Sequence, residues 1–241
     1  MPPHGWRARY GFACAYLVCF FVTDLVYVLL SPAAQDTMNA WASTSVANLE
    51  HEPVIPLVLS AFISPGFVGG WLVAIAVAVI GANRALGSAR TALVCVAGHV
   101  VGTLVSEGIV AYRVDAGLQP VADRYLIDIG PSYVVVAAIV AAVLAGTWLV
   151  RILAVIDFVV LTFTADLFGG LTQLDVAAVG HLTSMVTALV ITTALLAAAW
   201  SRRTAGRRTP AAAGASAGRV PDAQPDEIGD GGGAGPEYEL P

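Results

Sequence analysis

The sequence contains no lysine, few charged residues of any kind and only three cysteines. Charged side chains make up 12% of its 241 residues, whereas a soluble domain carries roughly a quarter. This shortage excludes a disordered protein, a secreted disulfide scaffold and a nucleic-acid-binding protein. The cysteines lie in apolar runs without the spacing of metal ligands. We therefore expect free thiols rather than disulfides or metal ligands at Cys14, Cys19 and Cys95.

Hydrophobic residues are abundant, at 57% of the chain, with a mean hydropathy of +0.77. A helix needs about 20 apolar residues to cross a bilayer. Because helices satisfy their own backbone hydrogen bonds in lipid, the sequence predicts an all-α polytopic membrane protein with a membrane domain over residues 1–201. Six stretches meet or approach the required length, namely 10–30, 66–82, 91–112, 132–150, 152–170 and 176–200.

The positions of the arginines predict the orientation, because short cytoplasmic loops carry an excess of positive charge. With the N-terminus inside, only Arg113 and Arg124 fall in outer loops. The other ten lie in inner segments, at positions 7, 9, 84, 90, 151, 202, 203, 207, 208 and 219. We therefore expect a multi-pass protein of the plasma membrane with both termini in the cytoplasm. Residues 202–241 are rich in Gly, Pro, Ala and acids, which predicts a disordered cytoplasmic tail.

Ionisable residues inside apolar spans are costly, so each is a hypothesis for a functional site. His99, Thr103 and Glu107 are spaced four residues apart and share one stripe of the third span. They form either a proton or metal path or an interhelical hydrogen-bond seam, and the pattern favours the seam. The other ionisable candidates are Asp24, Asp166, His181 and the pair Arg151 and Asp157, for which we expect a local ion pair.

Ser132 and His181 form a second candidate constellation. Ser132 begins the fourth span after Gly130 and Pro131, and His181 follows Gly180, roughly 8 Å inside the sixth span. Both residues lie toward the outer side at comparable depth. A serine hydroxyl and a neutral imidazole in hydrogen-bond reach are the minimum apparatus for nucleophilic acyl transfer. The pattern alone favours a structural alternative, a serine at a helix start and a histidine bonded to a neighbouring helix.

The order of these elements resembles the rhomboid superfamily of intramembrane serine proteases. The shared elements are six spans, an inside N-terminus, a long first outer loop over 31–65, Gly-x-Ser at 130–132 and Gly-His at 180–181. Gly87-Ser-Ala-Arg90 is similar to that family's Gly-x-x-Arg loop. The resemblance covers roughly residues 10–200, and the composition is similar to a divergent actinobacterial branch. It implies a six-helix bundle, Ser132 as nucleophile, His181 as general base, a transmembrane helix as substrate and no cofactor.

The chain departs from the family's pattern at two places. The family's Gly-x-Ser-Gly motif ends here in Tyr133. The His and Asn that bind the oxyanion early in span two are absent from 60–82, where Gly69 and Val73 stand near those places.

Three functions stay open at this point. The first is a protease using Ser132 and His181, with Gly130, Tyr133 and Gly180 in supporting positions. The second is a catalytically inactive rhomboid-fold protein that binds transmembrane helices, and the third is a small transporter built on His99 and Glu107. The expected partners are a transmembrane protein and the lipid bilayer, with no nucleic acid and no metal.

Overall fold

The computed structural model describes residues 4–66 and 68–208, and within these ranges it contains α-helices and short 3-10 helices but no β-strand. The α-helices are α1 (His4–Leu29), α2 (Pro32–Ala42), α3 (Val46–His51), α4 (Val54–Leu59), α5 (Val68–Leu86), α6 (Ser88–Asp115), α7 (Ser132–Ala145), α8 (Trp148–Thr164) and α9 (Val176–Arg208). The 3-10 helices cover Ser60–Phe62, Val121–Tyr125 and Leu171–Gln173. The predicted all-α fold is confirmed.

Four stretches of helix in the described ranges are long and apolar enough to cross a membrane: Arg9–Leu29, Gly69–Leu86, Ser88–Asp115 and Val176–Ala205. They belong to α1, α5, α6 and α9. The other two predicted spans correspond to α7 and α8, which have 14 and 17 residues. At 1.5 Å per residue α7 is about 21 Å long, against roughly 30 Å of bilayer hydrocarbon. The predicted count of six spans is therefore not confirmed by helix length and composition.

The short helix α7 lies in the core of the bundle, where it packs most extensively against α5, α6 and α8. Its side chains are buried from Tyr133 to Ile139 and again at Ala141 and Ala142. A helix that is apolar on every side is typical either of a buried core helix or of a membrane span. This position explains why the sequence of α7 resembles a membrane span although the helix is short.

The predicted fourth span, 132–150, is longer than the helix that the structure shows. Helix α7 ends at Ala145, and Gly146 follows as its C-cap. Arg151 consequently lies in the first turn of α8, and its Nε donates a hydrogen bond to the Gly146 carbonyl at 2.9 Å. The arginine thus satisfies a carbonyl at the end of α7, where helical partners are missing. The predicted ion pair with Asp157 is wrong, because two residues six apart on one helix point to different faces.

Two further predicted boundaries differ from the structure. The predicted fifth span, 152–170, ends at Thr164, and Asp166 then adopts a left-handed φ of 46°. The chain divides into two compact units, 1–198 and 199–241. In the second unit, helix α9 continues to Arg208, so the first seven residues of the predicted tail are helical. Residues 209–241 of that tail lie outside the described residues.

The predicted outer loop 31–65 folds into α2, α3, α4 and a 3-10 turn, and serine hydroxyls cap the starts of α2 and α3. This loop is linked to the segment that precedes α7. The Thr44 N–H donates to the Asp128 carbonyl at 3.0 Å, and the Asp128 N–H donates to Ser43 Oγ at 2.9 Å. The two bonds hold the chain just before Ser132.

Glycines let α6 approach α7 and α9 closely. A Cβ at Gly98 would lie 2.6 Å from the Ala137 Cβ, and one at Gly102 would lie 2.9 Å from the Gly180 carbonyl oxygen. Across the same contact, Ser184 Oγ donates to the Gly98 carbonyl at 2.8 Å. Small residues at helix interfaces permit this close approach in membranes. The contact brings the polar stripe of α6 toward the N-terminal turns of α9.

Candidate functional site

Ser132 is the first residue of α7. Before it, Gly130 has a φ of 150° and donates its N–H to the Ser60 carbonyl at 2.9 Å. The Ser132 side chain is half-buried. Its hydroxyl makes no hydrogen bond to any other residue in the described parts of the chain. The structure therefore places the serine at the helix start without a hydrogen-bonded base.

His181 is buried in the second turn of α9. Its Nδ1 lies 2.7 Å from the Leu167 carbonyl oxygen. Because a carbonyl only accepts, Nδ1 carries the proton and Nε2 of the neutral ring is the free base. Nε2 is buried and has no hydrogen-bond partner among the described residues. Ser132 and His181 are thus not hydrogen-bonded to each other.

Tyr133 makes the contact with His181. The two rings meet edge to face with their centroids 5.2 Å apart, and the His99 ring lies 6.0 Å from the Tyr133 ring. The phenol lies against Gly180, where an added Cβ would collide with the ring. Tyr133 therefore packs against α9 at the place where Gly180 has no side chain.

The Tyr133 hydroxyl is tied to a loop carboxyl group. It lies 3.0 Å from Asp128 Oδ2 and 3.2 Å from the Val176 carbonyl oxygen. Burial raises the pKa of Asp128 from 3.8 to about 6, against the opposing effect of hydrogen bonds from Tyr133 and Thr44. The charge of Asp175 adds to the rise. When Asp128 is protonated, its O–H can donate to Tyr133 while Tyr133 donates to Val176.

The predicted stripe of His99, Thr103 and Glu107 is buried along α6. His99 Nε2 lies 2.9 Å from the Leu57 carbonyl oxygen and 3.3 Å from Ser60 Oγ, so it joins α6 to the first outer loop. His99 Nδ1, Thr103 Oγ1 and both Glu107 carboxylate oxygens have no hydrogen-bond partner among the described residues. Only the His99 end of the stripe is thus a hydrogen-bonded seam. No group of three or more His, Cys, Asp or Glu side chains that could hold a metal is found in the described ranges.

Two contributors to this region were missed by the sequence reasoning. Ser60 and Asp128 both lie outside the apolar spans, and the search for costly polar residues covered only the spans. Ser60 lies in an apolar part of the first outer loop, and nothing in the sequence marks it as a neighbour of His99. The run Asp128-Ile-Gly-Pro-Ser132 shows that Asp128 lies near the helix start, but it does not predict the hydrogen bond between Asp128 and Tyr133.

The other ionisable residues lie apart from Ser132. Asp24 is fully buried in α1, and its Oδ1 accepts the Ser64 N–H at 3.0 Å. Asp166 is exposed in the turn after α8. Asp157 is buried in α8 and lines a cavity of about 670 Å³ between α5 and α8. The α5 side of this cavity includes Gly69 and Val73.

The sequence from residue 8 to residue 199 matches the family model described as rhomboid-like protein. The match covers most of the chain and all of the helices described above from α2 to α8. This chain belongs to the rhomboid-like protein family. No curated protein and no solved structure matches it.

Membership of the rhomboid-like family and the apolar helices make this a membrane-embedded protein. Gly69 and Val73, which the resemblance puts near the expected oxyanion-binding positions, both line the cavity between α5 and α8. Neither side chain can donate a hydrogen bond. At Gly69 and Val73 the structure therefore has open, apolar space between α5 and α8.

Proposed function

We propose that this rhomboid-like protein binds transmembrane helices laterally, in the cavity between α5 and α8, and does not cleave them. The observation that carries the proposal is the arrangement at the start of α7. Tyr133 occupies the contact with His181, and the Ser132 hydroxyl has no bond to the imidazole. Nucleophilic catalysis by serine depends on that bond for proton removal.

The cavity supports the binding half of the proposal. It is bordered by exposed apolar side chains, because Val73 is 65% and Val160 50% exposed. Gly69 and Gly70 line its α5 wall, and small residues let a second helix backbone come close. An apolar, glycine-lined opening between two helices of a membrane protein fits a helix arriving from the bilayer.

The membrane arrangement belongs to the same proposal. α7 and α8 complete a six-helix bundle in the plasma membrane, with α7 surrounded by protein and therefore free to be shorter than the bilayer. Both termini face the cytoplasm, in agreement with the ten inner and two outer arginines.

Intramembrane proteolysis by Ser132 and His181 is the second candidate. It is favoured by the state of the imidazole, because the Leu167 carbonyl holds the proton on Nδ1 and leaves Nε2 as a base without a partner. Apo active sites often tighten only when substrate binds. Transport through His99 and Glu107 stays a prediction, which loss of ion-dependent uptake in Glu107→Gln would support.

A fluorophosphonate probe separates the two main candidates. It labels serines activated by a base, so we expect the purified protein in lipid vesicles to show no more labelling than Ser132→Ala. An active serine hydrolase in the same vesicles is the positive control. Labelling that disappears in both Ser132→Ala and His181→Ala would contradict the non-proteolytic proposal and establish the dyad.

A further inference from the structure

Asp157 is an acidic side chain at an unusual place, the middle of a membrane-embedded helix. It lies seven residues before the end of α8 at Thr164, which is about 10 Å along the helix axis. Its side chain is only 9% exposed, and it lines the cavity between α5 and α8. The carboxyl group therefore faces the opening at a depth well inside the apolar part of the helix.

The Asp157 carboxyl group has no hydrogen-bond or ion-pair partner among the residues that the structure describes. Asp157 Oδ2 is buried and makes no hydrogen bond to another described residue. The arginine nearest in sequence, Arg151, donates instead to carbonyls at the end of α7. The cavity wall carries two other side-chain donors, the Trp71 indole N–H and the Thr164 hydroxyl, and the hydroxyl donates to the Val160 carbonyl instead. Neither is hydrogen-bonded to Asp157 in the described part of the chain. A buried carboxylate without a donor is costly in lipid, and an occupant of the cavity that carries a donor would remove this cost.

The surroundings define the kind of occupant. The cavity of about 670 Å³ is large enough for several side chains, and glycines at 66, 69 and 70 leave room for a helix backbone. Its border includes the exposed apolar side chains of Val73 and Val160, which suit contact with hydrocarbon better than contact with water. Ionised acids inside membranes pair with basic residues on facing helices, because the pair neutralises both charges.

We propose that Asp157 selects transmembrane helices that carry a lysine or arginine in their central third. This inference rests on the proposed lateral binding of helices and adds the class of helix that is bound. The small residues of α5 admit the helix backbone, and the Asp157 carboxylate pairs with the basic side chain. Asp157 is the specificity-determining residue, whereas the apolar walls bind any helix to a lower degree.

The test uses the full chain in phosphatidylcholine vesicles and three synthetic transmembrane peptides of about 21 Leu and Ala residues. The peptides differ at one central position, which is Lys, Gln or Leu. Binding is followed by energy transfer between a dye on the protein and a dye on the peptide. We expect the Lys peptide to bind about tenfold more tightly than the Leu peptide, with the Gln peptide close to Leu.

Matched variants assign the preference to Asp157. Asp157→Asn keeps the size of the side chain and removes its charge, so the Lys preference should disappear. Asp157→Glu should retain it. Asp36→Asn changes an exposed aspartate that does not line the cavity and should leave the preference unchanged.

The outcomes separate this inference from the proposed function. Equal binding of all three peptides, unchanged in Asp157→Asn, would overturn the role of Asp157 and leave lateral binding intact. Equally tight binding of the Gln and Lys peptides would overturn the proposal that the selected helix carries a basic residue. Failure of every peptide to bind the wild-type protein would overturn lateral binding and with it the selection by Asp157.

Discussion

Ser132 and Tyr133 are neighbours in the chain, but successive residues of a helix point about 100° apart. At the start of α7 this difference directs the phenol toward His181 and leaves the hydroxyl of the serine without a bond. The residue at position 133 thus decides what the histidine contacts. In the Gly-x-Ser-Gly motif that the chain resembles, this position is a glycine, which has no side chain to contact a histidine.

Removal of the Tyr133 hydroxyl tests its two polar contacts. Tyr133→Phe keeps the buried ring against Gly180 and His181 but leaves Asp128 without its phenol donor. We expect the free energy of unfolding to fall by about 1–3 kcal/mol, measured by thermal unfolding in detergent. Tyr125→Phe is the matched control, because Tyr125 is 68% exposed and should change little. Equal stability of the two variants would show that the Tyr133 hydroxyl contributes nothing.

The carboxyl group of Asp128 predicts a dependence of stability on pH. Its pKa is about 6 in the folded protein and 3.8 ordinarily, so the folded state binds more protons between these values. The free energy of unfolding should therefore fall as the pH rises from about 4 to about 6, and then level off. We expect Asp128→Asn to have a flatter stability profile over this interval. An identical slope in wild type and variant would contradict the raised pKa.

At the scale of elements, the contact of α6 with α7 and α9 depends on the lack of side chains at two glycines. Gly98→Ala would place a Cβ 2.6 Å from that of Ala137, and overpacking of this kind costs about 1–3 kcal/mol. Gly108→Ala, on the same helix, meets nothing within 4 Å and should be neutral or slightly stabilising. Thermal unfolding of both variants measures the difference. If the Gly98→Ala variant were as stable as the Gly108→Ala variant, α6 could move away from α7 without cost, and the close contact at Gly98 would not be required.

The elements also show how far sequence reasoning reaches. Apolar runs predicted the positions of α1 and α5 to α9, because helices that are buried in lipid or in protein are both rich in apolar residues. They could not tell a lipid-facing span from α7, since a helix buried in protein is equally apolar. Helix ends at Ala145 and Thr164 depend on local turns, and Arg151 satisfies the end of α7 through geometry that spacing does not reveal.

Four members of the candidate site could be predicted from the sequence, whereas Ser60, Asp128 and the contacts between the members could not. Ser132, Tyr133, His99 and His181 are polar residues in apolar surroundings, so each was visible in the sequence. Which of them contacts His181 depends on the rotation of α7 and the gap at Gly180. These are properties of packed helices, and no single stretch of sequence contains them.

At the scale of the whole molecule, the orientation in the membrane gives a direct prediction. In a background with the three native cysteines changed to alanine, we place one cysteine at exposed Leu118, before α7, or at exposed Ala85, near the end of α5. A membrane-impermeant maleimide added to intact cells should label Leu118→Cys and spare Ala85→Cys until the cells are permeabilised. The reverse pattern would contradict cytoplasmic termini.

The central claim is that a helix enters between α5 and α8 and leaves uncut. One experiment tests both parts of this claim, with a photo-reactive amino acid either at Val73 in the cavity or at Leu93 of α6 outside it. Both side chains are apolar and more than half exposed. After illumination with a labelled transmembrane helix in vesicles, we predict a cross-link to the intact helix from position 73 and little from position 93. A shortened helix that is absent with Ser132→Ala, or equal cross-linking from both positions, would contradict the account.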